Sequence, residues 1–234
     1  SEEGPLTAWY VPKPVTQRDP ADPKQFSHCW AAVGAWQLAA ATDGASRVTA
    51  KEFAKAAGGG SGRKSGSGTQ EDVVAGLDHY GVKASIVRMD RSTAATILGS
   101  DRRAVWAVAT AYEEWPVGKD CMAGVANDDV NHEVGVIGGK PPQVMNPLCV
   151  GEYQTVTLQT LLEAAFRYAR EQGHRGWIEV VRVYRQKPTG AIADKARIAE
   201  LEDDIARWEE YAASVRGLAG DILDCNPAFE RITG

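Results

Sequence analysis

Cys29 is followed by Trp30, small residues and the apolar positions Val33, Trp36 and Leu38, in the run Gln-Phe-Ser-His-Cys-Trp-Ala-Ala-Val-Gly-Ala-Trp-Gln-Leu from residue 25 to 38. That pattern puts a cysteine in the first turn of a helix. There the positive end of the macrodipole favours thiolate over thiol, and the thiolate is the nucleophile. A covalent catalyst needs exactly such a group plus a base. A small buried thiol in a core would leave the same local pattern, so the base has to be found elsewhere.

Only four histidines are available. His28 adjoins Cys29 and points away from it on a helix entry. His79 falls late on a helix and His174 follows a helix-ending glycine, both surface positions. His132 opens a strand, His-Glu-Val-Gly-Val-Ile-Gly, behind the polar loop Asn127-Asp128-Asp129-Val130-Asn131. A tight turn at 138–142 returns the chain through a second strand to Asn146-Pro147, so His132 and Asn146 end side by side. An amide that orients an imidazole beside a thiol is the arrangement of Cys-His-Asn catalysis.

These residues have elements to position them. The first helix is expected over residues 29–41, stopping at Asp43-Gly44. Thr49 with Glu52, and Thr69 with Asp72, start two further helices as capping signals, the second ending at Gly81. Strands are expected at 82–89, 104–111, 132–138, 143–146 and 177–185, with helices at 92–98 and 158–172. Helices first, then strands with a helix inserted, make an α+β domain. Residues 1–24, rich in proline, form an extended arm; 25–186 form the domain; 57–68, rich in glycine and serine, form a surface loop.

After Lys187-Pro188 the pattern changes. Ile198, Leu201, Ile205, Trp208, Ala212, Val215, Ala219 and Ile222 make a heptad seam, so residues 187–234 read as a linker and a coiled-coil helix. Residues 192–224 would then bind another copy of the chain or a partner helix. A net charge of −5 gives no reason to expect nucleic acid, and no apolar run reaches membrane-span length. No signal peptide opens the sequence, and synthesis in a cytoplasm is the default. The four cysteines, Cys29, Cys121, Cys149 and Cys225, include no C-x-x-C pair. A Cys121–Cys149 disulfide is open, and a metal site of Cys121, His132 and Cys149 is a remote option.

From Val11-Pro12 through Gln17-Arg18-Asp19-Pro20, Cys29-Trp30-Ala31-Ala32, Gly68-Thr69, Tyr80-Gly81-Val82, His132-Glu-Val-Gly-Val-Ile-Gly-Gly and Asn146-Pro147 to the helix at 158–166, the sequence resembles papain-like cysteine peptidases, in particular the bacteriocin-processing-peptidase-like branch. The resemblance implies a papain-like fold, with the nucleophile's helix packed on an antiparallel sheet. It implies Cys29 as nucleophile, His132 as base and Asn146 as its orienter, where that branch usually has Asp. It also implies an upstream glutamine as oxyanion-hole donor, Gln17 by context or Gln25 by proximity, beside the Cys29 N–H. No metal or organic cofactor is needed. The expected function is a cysteine peptidase or amidase acting on a peptide or peptidoglycan-peptide substrate, set in an assembly such as a phage virion or tail. A soluble endolysin fits less well, since nothing after residue 190 resembles a wall-binding module. The alternative is a catalytically silent papain-like structural protein that oligomerises through its coiled coil.

Overall fold

Helix α1 (Cys29–Ala41) is buried at every position from Trp30 to Ala41. A helix apolar on all sides belongs inside a domain, and the sequence Trp-Ala-Ala-Val-Gly-Ala-Trp-Gln-Leu-Ala-Ala-Ala leaves it no polar face. The computed structural model describes residues 9–19, 22–26, 28–58, 68–111, 131–149 and 151–186. The chain divides into two units, Ser1–Lys187 and Pro188–Gly234, and the described residues lie in the first. The expected coiled coil at 192–224 and most of the loop at 57–68 lie outside them.

On one side α1 meets α2 (Ala50–Ala56) and α3 (Gln70–His79). Both short helices begin with the reciprocal caps expected of them, Thr49 with Glu52 and Thr69 with Asp72. On its other side α1 meets a six-stranded antiparallel sheet of order β3-β8-β4-β5-β6-β7. The strands are β3 (Ser85–Asp90), β4 (Ala104–Ala111), β5 (Asn131–Ile137), β6 (Gln143–Met145), β7 (Tyr153–Thr155) and β8 (Trp177–Tyr184). Helices α4 (Arg91–Leu98) and α5 (Leu158–Glu171) cover the opposite face.

The strand alternation sorts the core into two layers. Val105, Ala107, Ile137, Met145 and Val181 face α1, while Trp106, Val108, Val134, Val136 and Val180 face α4 and α5. Gly135 fits this scheme tightly: a Cβ there would sit 2.6 Å from the ring of the fully buried Trp36. The absent side chain lets α1 lie directly on β5. Gln37, also fully buried, ties α1 to two strands by donating from Nε2 to the carbonyls of Val105 and Val181. The α+β class and the expected strands and helices of the domain are all present. Two features were not anticipated. Strand β7 extends the sheet beyond β6, and part of the arm pairs as β1 (Arg18–Asp19) with β2 (Asp22–Phe26). A proline, Pro23, is accommodated because a two-stranded ribbon has open edges.

Residues 9–17 run extended along the domain and are fastened at three places. Arg185, 6% exposed, donates to the carbonyls of Trp9 and Tyr10. Tyr153 donates its hydroxyl to the Pro12 carbonyl while accepting from Trp36 Nε1 at 2.7 Å. The Gln17 N–H donates to the carbonyl of Pro147 at 3.1 Å. Among the described residues no helix is long and apolar enough to cross a membrane.

Candidate active site

Cys29 opens α1 as a half-buried thiol. The residue before it, His28, is the N-cap and takes left-handed backbone angles, φ 77° and ψ 45°. That conformation costs a non-glycine residue roughly 1–2 kcal/mol, and its side chain makes no capping bond to the helix. A left-handed residue followed by a helical one curls successive N–H groups to one side, a concavity suited to negative charge. The Cys29 N–H is one of them. The strain therefore coincides with the position where a thiolate and an oxyanion would be held.

His132 lies near the start of β5, 4% exposed, opposite Thr110 in β4, whose hydroxyl donates to the His132 carbonyl at 2.9 Å. Its Nε2 is 2.8 Å from Oδ1 of Asn146, which follows β6 and is fully buried. The backbone N–H of Leu148 also points at that Oδ1, at 3.1 Å, and the Asn146 Nδ2 donates to Gln154 Oε1 at 3.1 Å. A backbone N–H can only donate, so the atom facing His132 is the amide oxygen, an acceptor. Nε2 must then carry the proton, and Nδ1 is left with its lone pair. The asparagine thus selects one imidazole tautomer; that the two residues lie side by side is what the sequence spacing suggested.

Gln154, on β7, was not singled out in the sequence. It links Asn146 to Cys149 by donating Nε2 to the Cys149 Sγ at 3.0 Å. Cys149 is disulfide-bonded, and its partner lies outside the described residues. A half-cystine cannot serve as a thiolate metal ligand, and among the described residues no cluster of metal-ligating side chains occurs.

The two candidate oxyanion donors fall differently. Gln17 sits at the Asn146-Pro147 corner through its bond to Pro147, with its Oε1 buried and without a hydrogen-bond partner. Gln25 lies on β2, where only the backbone is described. Of the other histidines, His79 is exposed beside Tyr80, and His174 stacks on Trp177 at 3.9 Å.

Burial holds His132 down, to about 4, against the smaller upward pull of Asn146. Burial holds the neighbouring Glu133 up, to about 7, partly offset by the hydrogen bond from Gln70. The two act on stability with opposite signs. The unfolded histidine takes up a proton from 6.5 downward while the folded one resists to about 4, which weakens the fold as pH falls through that window. The unfolded glutamate gives up its proton from 4.5 upward while the folded one resists to about 7, which weakens the fold as pH rises. Between 4.5 and 6.5 the two slopes cancel.

No protein-family model matches the sequence, and no curated protein matches it. Among solved structures, the fold is similar to a crystal structure of a candidate C39-like peptidase from Bacillus anthracis, with a TM-score of 0.50 and 14% sequence identity. The match covers 80% of this chain and 100% of that one. At this identity the likeness concerns the course of the backbone alone.

Proposed function

We propose that the chain is a cysteine peptidase or amidase that uses Cys29, His132 and Asn146. The observation that carries this reading is the bond from His132 Nε2 to an Asn146 oxygen whose identity is fixed by the Leu148 N–H. It leaves Nδ1 as the proton acceptor on a histidine with a rigid backbone. Cys29 sulfur attacks the carbonyl carbon, and its proton passes to His132 Nδ1. The tetrahedral oxyanion is held by the Cys29 N–H and Gln17. His132 returns the proton to the leaving amine, giving a thioester. Water, deprotonated by the same Nδ1, then releases the acid and restores the thiol. No metal or organic cofactor enters. Support for Gln17 over Gln25 is its backbone attachment beside Asn146.

Because burial disfavours a lone imidazolium at His132, that cation has to form together with the thiolate that stabilises it. The test is iodoacetamide labelling of each cysteine against pH, read by peptide mass spectrometry. Cys29 is expected to label with an apparent pKa well below the ~8.5 of an ordinary thiol. Labelling no faster than an ordinary thiol would leave the silent structural reading in its place.

Asn146→Ala is expected to slow hydrolysis roughly 10–1000-fold without abolishing it, since the amide positions the base and never touches substrate. It also strands the buried Leu148 N–H and the Gln154 amide, so stability falls by about 2 kcal/mol. Steady-state kinetics and a thermal melt separate the two effects.

The heptads after residue 190 support a place in a larger assembly, such as a phage virion or tail acting on cell-wall peptide or assembly proteins. The residues that would form the coil are 192–224, acting on a second copy or a partner helix.

A further inference from the structure

A cavity of about 240 Å³ opens where β4 ends and β5 and β8 begin, between the start of α3 and the C-terminal part of α5. Gly68, Gln70, Ala109, Glu133, Tyr168 and Ala169 contribute to its wall. Its polar equipment is unusual. Glu133, 8% exposed, accepts one hydrogen bond, from Gln70 Nε2 at 3.1 Å. The other end of the same amide, Gln70 Oε1, is buried and has no hydrogen-bond partner. Carboxylate and amide oxygen are both acceptors, and the amide oxygen is left without a donor. A buried acceptor without a donor costs about 1–3 kcal/mol, and a buried carboxylate costs more unless it is paired.

The cavity also adjoins the proposed nucleophile. Gly68 lies so close to Trp30, the residue after Cys29, that a Cβ on it would come within 2.4 Å of the indole. Burial raises the Tyr168 phenol, and negative charge on Glu133 and on Cys29 raises it further.

We infer that this cavity is a specificity pocket for a cationic side chain of the substrate, a primary ammonium or guanidinium that donates to Glu133 and to Gln70 Oε1. The inference rests on the peptidase reading only for calling the ligand a substrate. A lysine-like group supplies three donors on a flexible stem, and the apolar walls Ala109, Ala165 and Ala169 suit its methylenes. Glu71, also at the wall, adds negative charge, Glu179 there is already paired with Arg88 at 2.8 Å, and His174 and Tyr168 are the other titratable groups that face it. Since a carboxylate and not a carboxylic acid pairs with an ammonium, affinity should rise with pH through the region where Glu133 ionises.

The experiment uses the full chain carrying Cys29→Ala, titrated calorimetrically with N-acetyl-lysine methylamide and with the norleucine analogue, which lacks the charge. In parallel, the unaltered chain is assayed on peptides differing only by lysine or norleucine beside the scissile bond. The lysine compound is expected to bind at least tenfold tighter, tighter again at pH 8 than at pH 6. The preference should vanish in Glu133→Gln, which keeps the shape and the hydrogen bond to Gln70. Should Glu133→Gln fail to fold, Gln70→Met, which removes the second acceptor on an exposed-rimmed position, is expected to weaken the preference several-fold. Equal binding of the two compounds overturns the pocket, whether or not peptides are cleaved. Selective binding with no hydrolysis of any peptide upholds the pocket and sinks the peptidase reading. Hydrolysis with no preference for lysine does the reverse.

Discussion

Cys29→Ala is expected to lower kcat/KM on any cleaved peptide by at least about 10⁴-fold, the loss typical of removing a covalent nucleophile. The fold should survive. Cys29 is half-buried, its sulfur is one heavy atom, and alanine is at least as good a helix former, so stability should change by less than about 1 kcal/mol. The helix is held by the burial of Trp30 to Ala41 and by Gln37, none of which depends on the thiol. A circular dichroism melt next to a kinetic assay on the same preparation reads both quantities. Residual activity within tenfold of the parent would remove Cys29 from the mechanism. A collapsed melt would make it a core residue.

Arg185→Met is expected to destabilise the domain by about 3 kcal/mol, the value of losing several charge-assisted hydrogen bonds from one buried group. Nε and Nη2 donate to Tyr10 O at 3.0 and 2.6 Å, Nη2 also to Trp9 O at 2.8 Å, and Nη1 to Arg102 O at 2.8 Å. Methionine refills much of the volume but leaves the carbonyls of Trp9, Tyr10 and Arg102 short of a donor. Burial lowers the Arg185 guanidinium only to about 10, so it stays charged at neutral pH. For a domain of this size the loss corresponds to roughly 6–12 °C in Tm. Limited proteolysis should then cut first within residues 9–17, where the strap is anchored. Arg185→Lys should rescue little, because one ammonium cannot reach carbonyls on both sides as the planar fork does. A melt unchanged within 2 °C would mean the arm contributes no stability.

The parts of this molecule that could be read from its sequence are those whose signal is local. Thr49 with Glu52 and Thr69 with Asp72 declare their helices because a cap satisfies its own backbone within four residues. His132 and Asn146 could be paired because one short turn fixes their register. The rest depends on partners distant in the chain. Gln154, Arg185 and Glu133 are ordinary polar residues until the sheet brings them against Asn146, the arm carbonyls and Gln70. Strand β7 spans only Tyr153–Thr155, too short for an alternation to register. The β1–β2 ribbon was hidden by Pro20 and Pro23, which argue for extended chain and say nothing about pairing.

The grip of Arg185 on Trp9 and Tyr10 has a further consequence for architecture. Trp9 and Tyr10, early in this unit, and Arg185, close to its end, are joined by hydrogen bonds. A unit whose two ends meet can be spliced into a loop of another protein, or rejoined and reopened elsewhere, with little strain on either partner.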